Sequence, residues 1–197
     1  MQRMKKIFFI AIITFSLGSC NLFDTRDAEA PDKGKSNFIP AVRAEDVINN
    51  LKNSFADKNV QNYIACFVDT LFGDKKFSFS ASSEAIALYQ VFLQDWGLNE
   101  EKRYFSSVIN KVPVDFPISL TFSDENYSNL SGDSLIYTAA YNINLPISST
   151  DPTPANYAGI LQFNMLRDAR AEWVIYFWKD TRGELFPSWS ELKGIFY

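Results

Sequence analysis

The chain of 197 residues contains no histidine. That absence excludes the Ser-His-Asp and Cys-His arrangements of nucleophilic catalysis, and it excludes zinc or iron sites built on imidazole. The sequence also lacks a Gly-rich phosphate loop, a G-x-S-x-G nucleophile elbow and an acidic calcium loop with its glycine and closing glutamate. We therefore predict no motif-defined catalytic residue, no metal site and no cofactor.

Long apolar runs are missing as well. The run IFFIAIITFSL, at residues 7–17, has 11 residues, whereas a helix that spans a bilayer needs about 20. A basic segment with Arg3, Lys5 and Lys6 precedes this apolar run, and small residues come after the run. This order is typical of a secretory signal peptide, so residues 1–19 are predicted to be one.

Cysteine is scarce, and the first of the two cysteines ends this signal segment. The sequence Leu17-Gly18-Ser19-Cys20 resembles the lipobox of bacterial lipoproteins. The resemblance implies that Cys20 receives a diacylglyceryl group, that the chain is cut before it and that the new amino group is acylated. Since two or three acyl chains hold a protein stably on a membrane, we predict an anchor at Cys20. The protein would then lie in the bacterial cell envelope, on the periplasmic side or in the outer membrane.

The second cysteine, Cys66, would have no partner for an internal disulfide once Cys20 is lipidated. It lies in the apolar stretch NYIACFVD, without the cationic neighbour that a reactive thiolate needs. We interpret Cys66 as a small buried hydrophobic residue. The alternative to the lipoprotein hypothesis is an ordinary secreted protein in which Cys20 lies near the cleavage site by chance.

Positive charge becomes scarce when the signal is removed. The whole chain has 19 basic and 23 acidic residues, and three of the basic ones lie in residues 1–19, so the remainder has a net charge of −7. No basic run follows Cys20. Because binding to phosphate backbones requires lysine and arginine to displace counterions, we predict that the protein does not bind nucleic acid.

The chain after the signal divides into a tether and one domain. Residues 21–40 mix Asp, Glu, Lys, Pro and Gly with little apolar periodicity, a composition that buries too little surface to order itself. With the lipidated cysteine they make a tether over residues 20–40, which would hold the domain on the order of 25 Å from the lipid. Residues 41–197 are enough for one domain, and 18 Phe, 9 Tyr and 4 Trp supply a large core.

Apolar residues at helical spacing predict four helices in the first half of the domain. They lie at 44–56, 59–68, 83–96 and 100–110. The first is the most regular, because one face carries Val47, Ile48, Leu51 and Phe55. The fourth follows Asn99, a residue type that favours the N-cap position.

Residues from about 117 to 180 alternate between apolar and polar types, as strands do. The longest regular series on one side is Tyr137, Ala139, Tyr141, Ile143 and Leu145. Helices followed by an antiparallel sheet predict an α+β domain.

Three local details of this sheet follow from the same pattern. Residues 157–167 and 172–180 are predicted to form a hairpin around Asp168–Ala171. Trp173 and Trp178 are predicted to point to opposite faces, because they are five residues apart. Asp124–Asn126 is predicted to form a turn between strands.

The order of elements resembles the NTF2-like (cystatin-like) superfamily over residues 41–197. The resemblance lies in the helix at 44–56, in FADKNVQNYIACF after it, and in EWVIYFWKDTRGELFPSWSELKG near the end of the chain. The last segment contains Trp173, Ile175, Trp178 and Asp180, and it is similar to lipid-anchored or periplasmic members of unassigned function. The resemblance implies a cone in which a curved antiparallel sheet wraps around N-terminal helices.

The resemblance also implies where a site would lie, because enzymes of this superfamily place an Asp, His, Tyr or Arg inside the cone. The acids nearest to apolar stretches are Asp69, Asp74 and Asp95, and the nearby phenols are Tyr63, Tyr89 and Tyr104. Asp180 is predicted to form a surface ion pair with Arg182, which would contribute little.

Three functions remain open. The first is a non-enzymatic module that binds a small apolar ligand or a protein partner at the membrane. The second is an isomerase or cyclase with a buried Asp base and a Tyr. The third is a structural envelope lipoprotein with no ligand.

Overall fold

The computed structural model describes residues 37–197. The predicted signal peptide, Cys20 and most of the predicted tether lie outside the described residues. In chain order the elements are α1 (Ala44–Ala56), α2 (Val60–Ala65), β1 (Ser78–Ser80), α3 (Ser83–Leu93), α4 (Leu98–Lys111), β2 (Ser119–Ser131), β3 (Ser134–Asn144), β4 (Asn156–Arg167), β5 (Trp173–Arg182) and α5 (Trp189–Phe196).

The strands form one curved sheet in the order β1-β5-β4-β3-β2. The pairs from β2 to β5 are antiparallel, whereas the short strand β1 pairs with β5 in parallel. The helices pack on one side of this sheet and share a continuous aromatic core with it. The predicted α+β class is confirmed.

The predicted core faces are also confirmed. In β3, Tyr137, Ala139, Tyr141 and Ile143 are all buried. In α1 the predicted apolar face is buried against the sheet, and Phe55 contacts the rings of Tyr63 and Phe105. Each aromatic pair of this kind adds about 0.5–1.5 kcal/mol to the free energy of burial.

The prediction that Trp173 and Trp178 point to opposite faces is wrong. Trp173 pairs with Arg167, Ile175 with Met165 and Trp178 with Phe163, so the pairing skips Tyr176. This extra residue is a β-bulge, which reverses the alternation of side chains beyond it. Both tryptophans are therefore buried on the same face.

Other parts of the structure also differ from the prediction. Asp124–Asn126 does not end a strand but forms an irregularity inside β2, where Asp124 has a φ of 53°. Helix α3 ends at Leu93, and Tyr89 in it has non-helical angles. Helix α5 was not predicted at all.

No helix within residues 37–197 combines enough length with enough apolar character to cross a bilayer.

Candidate functional site

Helix α5 enters the concave side of the sheet and fills it. Its first turn is fixed by a capping box, in which Ser188 Oγ accepts from Glu191 N–H at 3.3 Å and Glu191 accepts from Ser188 N–H at 2.6 Å. These two bonds satisfy backbone donors that a helix start leaves unpaired. They also set the direction in which Trp189 and Lys193 project.

Trp189 is fully buried at the centre of the core. Its indole contacts the rings of Trp178, Tyr141 and Phe55, with centroids 4.5, 5.2 and 5.4 Å away. The indole Nε1 donates to Tyr104 Oη at 2.8 Å. The Trp189 side chain thus fills the interior between α5 and the sheet.

Lys193, one turn further along α5, is buried with Glu101 of α4 in a direct ion pair. The ammonium lies against four aromatic rings, and its distances to the centroids are 3.9 Å for Trp178, 4.3 Å for Phe79, and 5.1 Å for both Trp96 and Tyr104. Aromatic faces attract a cation, and they do so most strongly where water is excluded. The four rings therefore form a cage around the Lys193 ammonium, and we call it the aromatic cage.

The carboxylate of Glu101 accepts from three donors. One oxygen accepts from Tyr63 Oη, and the other accepts from Trp96 Nε1 at 2.6 Å and from Lys193. A buried charge is stable only when it is paired and hydrogen-bonded in this way. The side chain of Glu101 thus joins α2, α4 and α5.

The pKa values within this cluster reflect its burial. Burial lowers the pKa of Lys193 to about 8, and the nearby Glu101 carboxylate opposes that shift. Burial, followed by the charge of Glu101, raises the pKa of Tyr63 well above its usual value. A lysine with a lowered pKa has the chemistry of a nucleophile, but Lys193 is enclosed by the aromatic cage and has no exposed surface.

A second buried carboxylate, Asp180 of β5, holds the start of α5. It accepts from Tyr141 Oη at 2.8 Å, and from Ser190 N–H and Oγ at 2.7 and 2.5 Å. Burial raises the pKa of Asp180, and the hydrogen bonds from Ser190 and Tyr141 oppose the shift. Tyr141 reaches Asp180 across Gly159, where an added Cβ would lie 2.6 Å from the phenol oxygen.

The acids that the sequence suggested as catalytic candidates are not in the core. Asp74 and Asp95 are exposed, and Asp69 is half-buried. The three candidate phenols differ in burial. Tyr63 and Tyr104 are fully buried, whereas Tyr89 on α3 is half-buried.

The burial of Glu101 and of Asp180 was missed for different reasons. Glu101 lies in the first turn of a helix, where acids commonly face solvent and favour the helix dipole. Asp180 was assigned to a surface pair with Arg182, which is wrong, because Arg182 pairs with Glu191 at 3.2 Å. A register corrected for the bulge at Tyr176 would have placed Asp180, together with Trp178, on the same buried face as Trp173.

Cys66 is buried, as predicted, and burial raises the pKa of its thiol well above the usual value. Within residues 37–197, no group of three or more Cys, Asp or Glu side chains is placed to hold a metal ion.

The surface of residues 37–197 includes the following grooves. One, of about 290 Å³, lies beside α2 between Ile64 and Lys102. Another, of about 350 Å³, is lined by β3, β4 and residues 183–186. A third, of about 240 Å³, follows α3.

No protein-family model and no curated protein matches the chain, but solved structures do. An NTF2-like superfamily protein from Salmonella enterica is 10% identical, with a TM-score of 0.51 over 70% of this chain and 87% of that one. The chain has the NTF2-like fold. A proposed NTF2-like dehydratase from Streptomyces avermitilis is also 10% identical, with a TM-score of 0.52 over 70% and 91% of the two chains. The NTF2-like fold is likewise found in a proposed scytalone dehydratase from Novosphingobium aromaticivorans, at 10% identity and a TM-score of 0.53 over 71% and 81%.

Proposed function

We propose that this chain is a lipid-anchored envelope protein whose NTF2-like domain binds a protein partner on its outer surface and catalyses no reaction. The observation that carries the proposal is the filled concavity. Trp189 and Lys193 occupy the interior with their own hydrogen bonds and ring contacts.

The isomerase or cyclase alternative needs substrate space between a carboxylate and a phenol. Pockets that bind small molecules have volumes of about 300 Å³ or more. Here Glu101 bonds directly to Tyr63, and Asp180 bonds directly to Tyr141. Since each acid already contacts its phenol, neither pair has room for a substrate. The same contacts disfavour a small apolar ligand inside the cone.

The outer surface offers apolar area that the interior does not. The groove of about 350 Å³ is bordered by Ile160, Leu185 and Phe186, all of which are exposed. Leu185 has 86% of its surface accessible to water. Clustered apolar side chains on a surface mark interaction sites, and an apolar segment of a protein would cover this groove.

The membrane anchor at Cys20 is supported by the lipobox-like sequence Leu17-Gly18-Ser19-Cys20. Cys20→Ser is expected to abolish labelling with radioactive palmitate and to leave a soluble or uncleaved precursor. Equal labelling of the wild type and the variant would overturn the anchor.

The proposal that the interior has no room for a ligand is tested by a substitution that creates a cavity. Trp189→Ala removes an indole from the core, and apolar cavities of this kind bind ligands of matching shape. We expect indole to raise the melting temperature of Trp189→Ala but not that of the wild type. A rise in the wild type would show an open cone and would favour the ligand-binding alternative.

The partner is tested by photo-crosslinking in intact cells. A benzophenone side chain placed at Leu185 is expected to give a discrete protein adduct, and the same side chain at exposed Asn110 is not. Ile160→Asp should abolish the adduct, since it adds a charge to the groove. No adduct at either position would favour the structural lipoprotein with no ligand.

A further inference from the structure

The outer face of helix α3 is apolar although it faces water. Ala85 and Leu93 are buried on its inner side, whereas Leu88, Val91 and Phe92 are exposed by 66%, 86% and 48%. A contiguous apolar surface that faces water marks an interaction site.

The exposed side chains continue onto the end of α5. Gly194 of α5 packs against the ring of Tyr89 on α3, and the rings of Phe92 and Tyr197 lie 6.1 Å apart. We call the resulting surface the α3 patch, and it consists of Ile86, Leu88, Val91, Phe92, Ile195 and Tyr197. The exposed polar residues of α3 are Ser83, Glu84 and Gln90.

The rim of the α3 patch has the chemistry of a lipid interface. Arg103 donates to Tyr197 Oη at 3.1 Å, and its guanidinium lies 5.9 Å from the centre of that ring. Tyrosine and arginine place their apolar parts on hydrocarbon and their polar ends among headgroups. The α3 patch therefore has an apolar centre and an amphipathic edge, which is the order that a surface resting among lipid headgroups requires.

The length of chain before the described body allows this face to reach a membrane. Sixteen residues, 21–36, separate Cys20 from Asn37, and at most they span about 55 Å. A domain of this size is about 40 Å across. Asn37 is held to the body through Asp57 and Asn53. Any face of the domain can therefore reach the bilayer that holds the acyl chains.

Attachment by a short tether also reduces the affinity that the patch must supply. A tethered site experiences an effective concentration on the order of millimolar, so a weak apolar contact suffices. The net charge of −7 after removal of the signal provides no attraction to anionic lipids. Binding through the α3 patch must then depend on apolar burial.

We propose that the α3 patch is a membrane-docking surface, which rests in the headgroup region of the bilayer that holds the lipid of Cys20. This inference rests on the proposed anchor. It adds an orientation, in which α3 and the end of α5 face the lipid.

The experiment uses the full, lipidated chain in phosphatidylcholine vesicles, at no more than one protein per vesicle. Because lipidation consumes Cys20 and Cys66 is buried, a cysteine introduced at Val91 is the only thiol open to an environment-sensitive fluorophore. A cysteine at Ile160, which is exposed on the sheet, is the matched control. We expect lipids with a spin label near the headgroup to reduce fluorescence at residue 91 at least threefold more than at residue 160.

A second variant separates docking from anchoring. Leu88→Asp should abolish the difference between the two positions while the protein still sediments with the vesicles. Raising the salt concentration should leave the difference unchanged, since screening affects charges and not apolar burial.

Each other outcome overturns a specific claim. Equal quenching at residues 91 and 160 in a sedimenting protein overturns the docking surface. Protection of residue 91 only at many proteins per vesicle shows a second copy on the α3 patch instead. If the protein does not sediment and the fluorophore reacts with Cys20, the anchor itself is wrong.

Discussion

Helices α3 and α5 pack against each other but distribute their side chains in opposite ways. Helix α5 buries Ser190, Glu191 and Lys193, whereas α3 exposes Leu88 and Val91. The polar residues of α5 are buried because each has a partner, and the apolar residues of α3 remain outside because the core is already filled. Whether a side chain of these two helices is buried thus depends on whether it has a hydrogen-bonding partner and whether the core has space for it. The hydropathy of the residue alone does not predict its burial.

The buried residues of α5 and the exposed residues of α3 contribute differently to the free energy of unfolding. Burying an ion pair costs desolvation energy that the attraction barely repays, but removing one partner costs about 3–5 kcal/mol. The residues of α5 are therefore interdependent. The exposed residues of α3 contribute little to folding, so they are free to serve binding.

The largest effect is expected from Glu101→Ala, which leaves the Lys193 ammonium in the aromatic cage without its carboxylate. The free energy of unfolding in urea should fall by about 3–5 kcal/mol. Lys102→Ala, at the neighbouring exposed position, should change it by less than about 0.5 kcal/mol. Equal losses in the two variants would contradict a structural role for the ion pair.

A double variant sharpens this test. Glu101→Leu with Lys193→Met replaces both charges by apolar groups, and we expect most of the lost stability to return. A double variant that is as unstable as Glu101→Ala would show that shape, and not charge, limits this part of the core.

A smaller loss is expected where the two helices meet. In Gly194→Ala the new Cβ would lie 2.3 Å from Cγ of Tyr89, and such overpacking costs about 1–3 kcal/mol. Adding Tyr89→Ala should recover part of the loss in thermal unfolding. Gly73→Ala is the control, because a Cβ there meets nothing within 4 Å, and it should be nearly neutral.

The pH dependence of stability reports on Lys193 directly. Below about pH 8 the lysine is protonated in both states, and its burial lowers stability by a constant amount. Between pH 8 and its ordinary pKa of 10.5 the folded chain holds fewer protons than the unfolded chain. Stability should therefore rise with pH in this window, by on the order of 1–2 kcal/mol.

The reference for the pH dependence of stability is the double variant Glu101→Leu with Lys193→Met, which lacks both charges. Its stability curve from pH 8 to 10 contains the same tyrosines but not Lys193, so the difference isolates the lysine. A difference that stays flat would mean that Lys193 keeps an ordinary pKa.

The smallest effect is expected on the exposed face of α3. Val91→Lys should change the free energy of unfolding by less than about 0.5 kcal/mol, because Val91 has 86% of its surface in water. Ala85→Lys, on the buried side of the same helix, should prevent normal folding. A large loss from Val91→Lys would show that the α3 patch belongs to the core.

The sequence predicted the parts of the fold that depend on local periodicity. The helix at 44–56 and the alternation from Tyr137 to Ile143 were correct, because each pattern is continuous over several residues. The bulge at Tyr176 was not predictable in this way, since a single added residue leaves no mark on composition. It reversed the expected direction of Trp178 and concealed Asp180.

The candidate site was less predictable than the fold. Glu101 and Lys193 are 92 residues apart, and each looks like an ordinary surface residue in its own segment. Only their juxtaposition explains why both are buried. The phenols Tyr63 and Tyr104, which the sequence suggested as members of a site, are core residues.

The place of α5 along the chain has a consequence for folding kinetics. The hydrogen bonds from Lys193 to Glu101 and from the Ser82 N–H to Ser190 Oγ join residues 92 and 108 positions apart, and such distant contacts form slowly. During synthesis, α1 to α4 and the sheet emerge before α5. An early intermediate therefore carries Glu101 unpaired beside an unfilled core, and we expect this intermediate to need the greatest protection from aggregation.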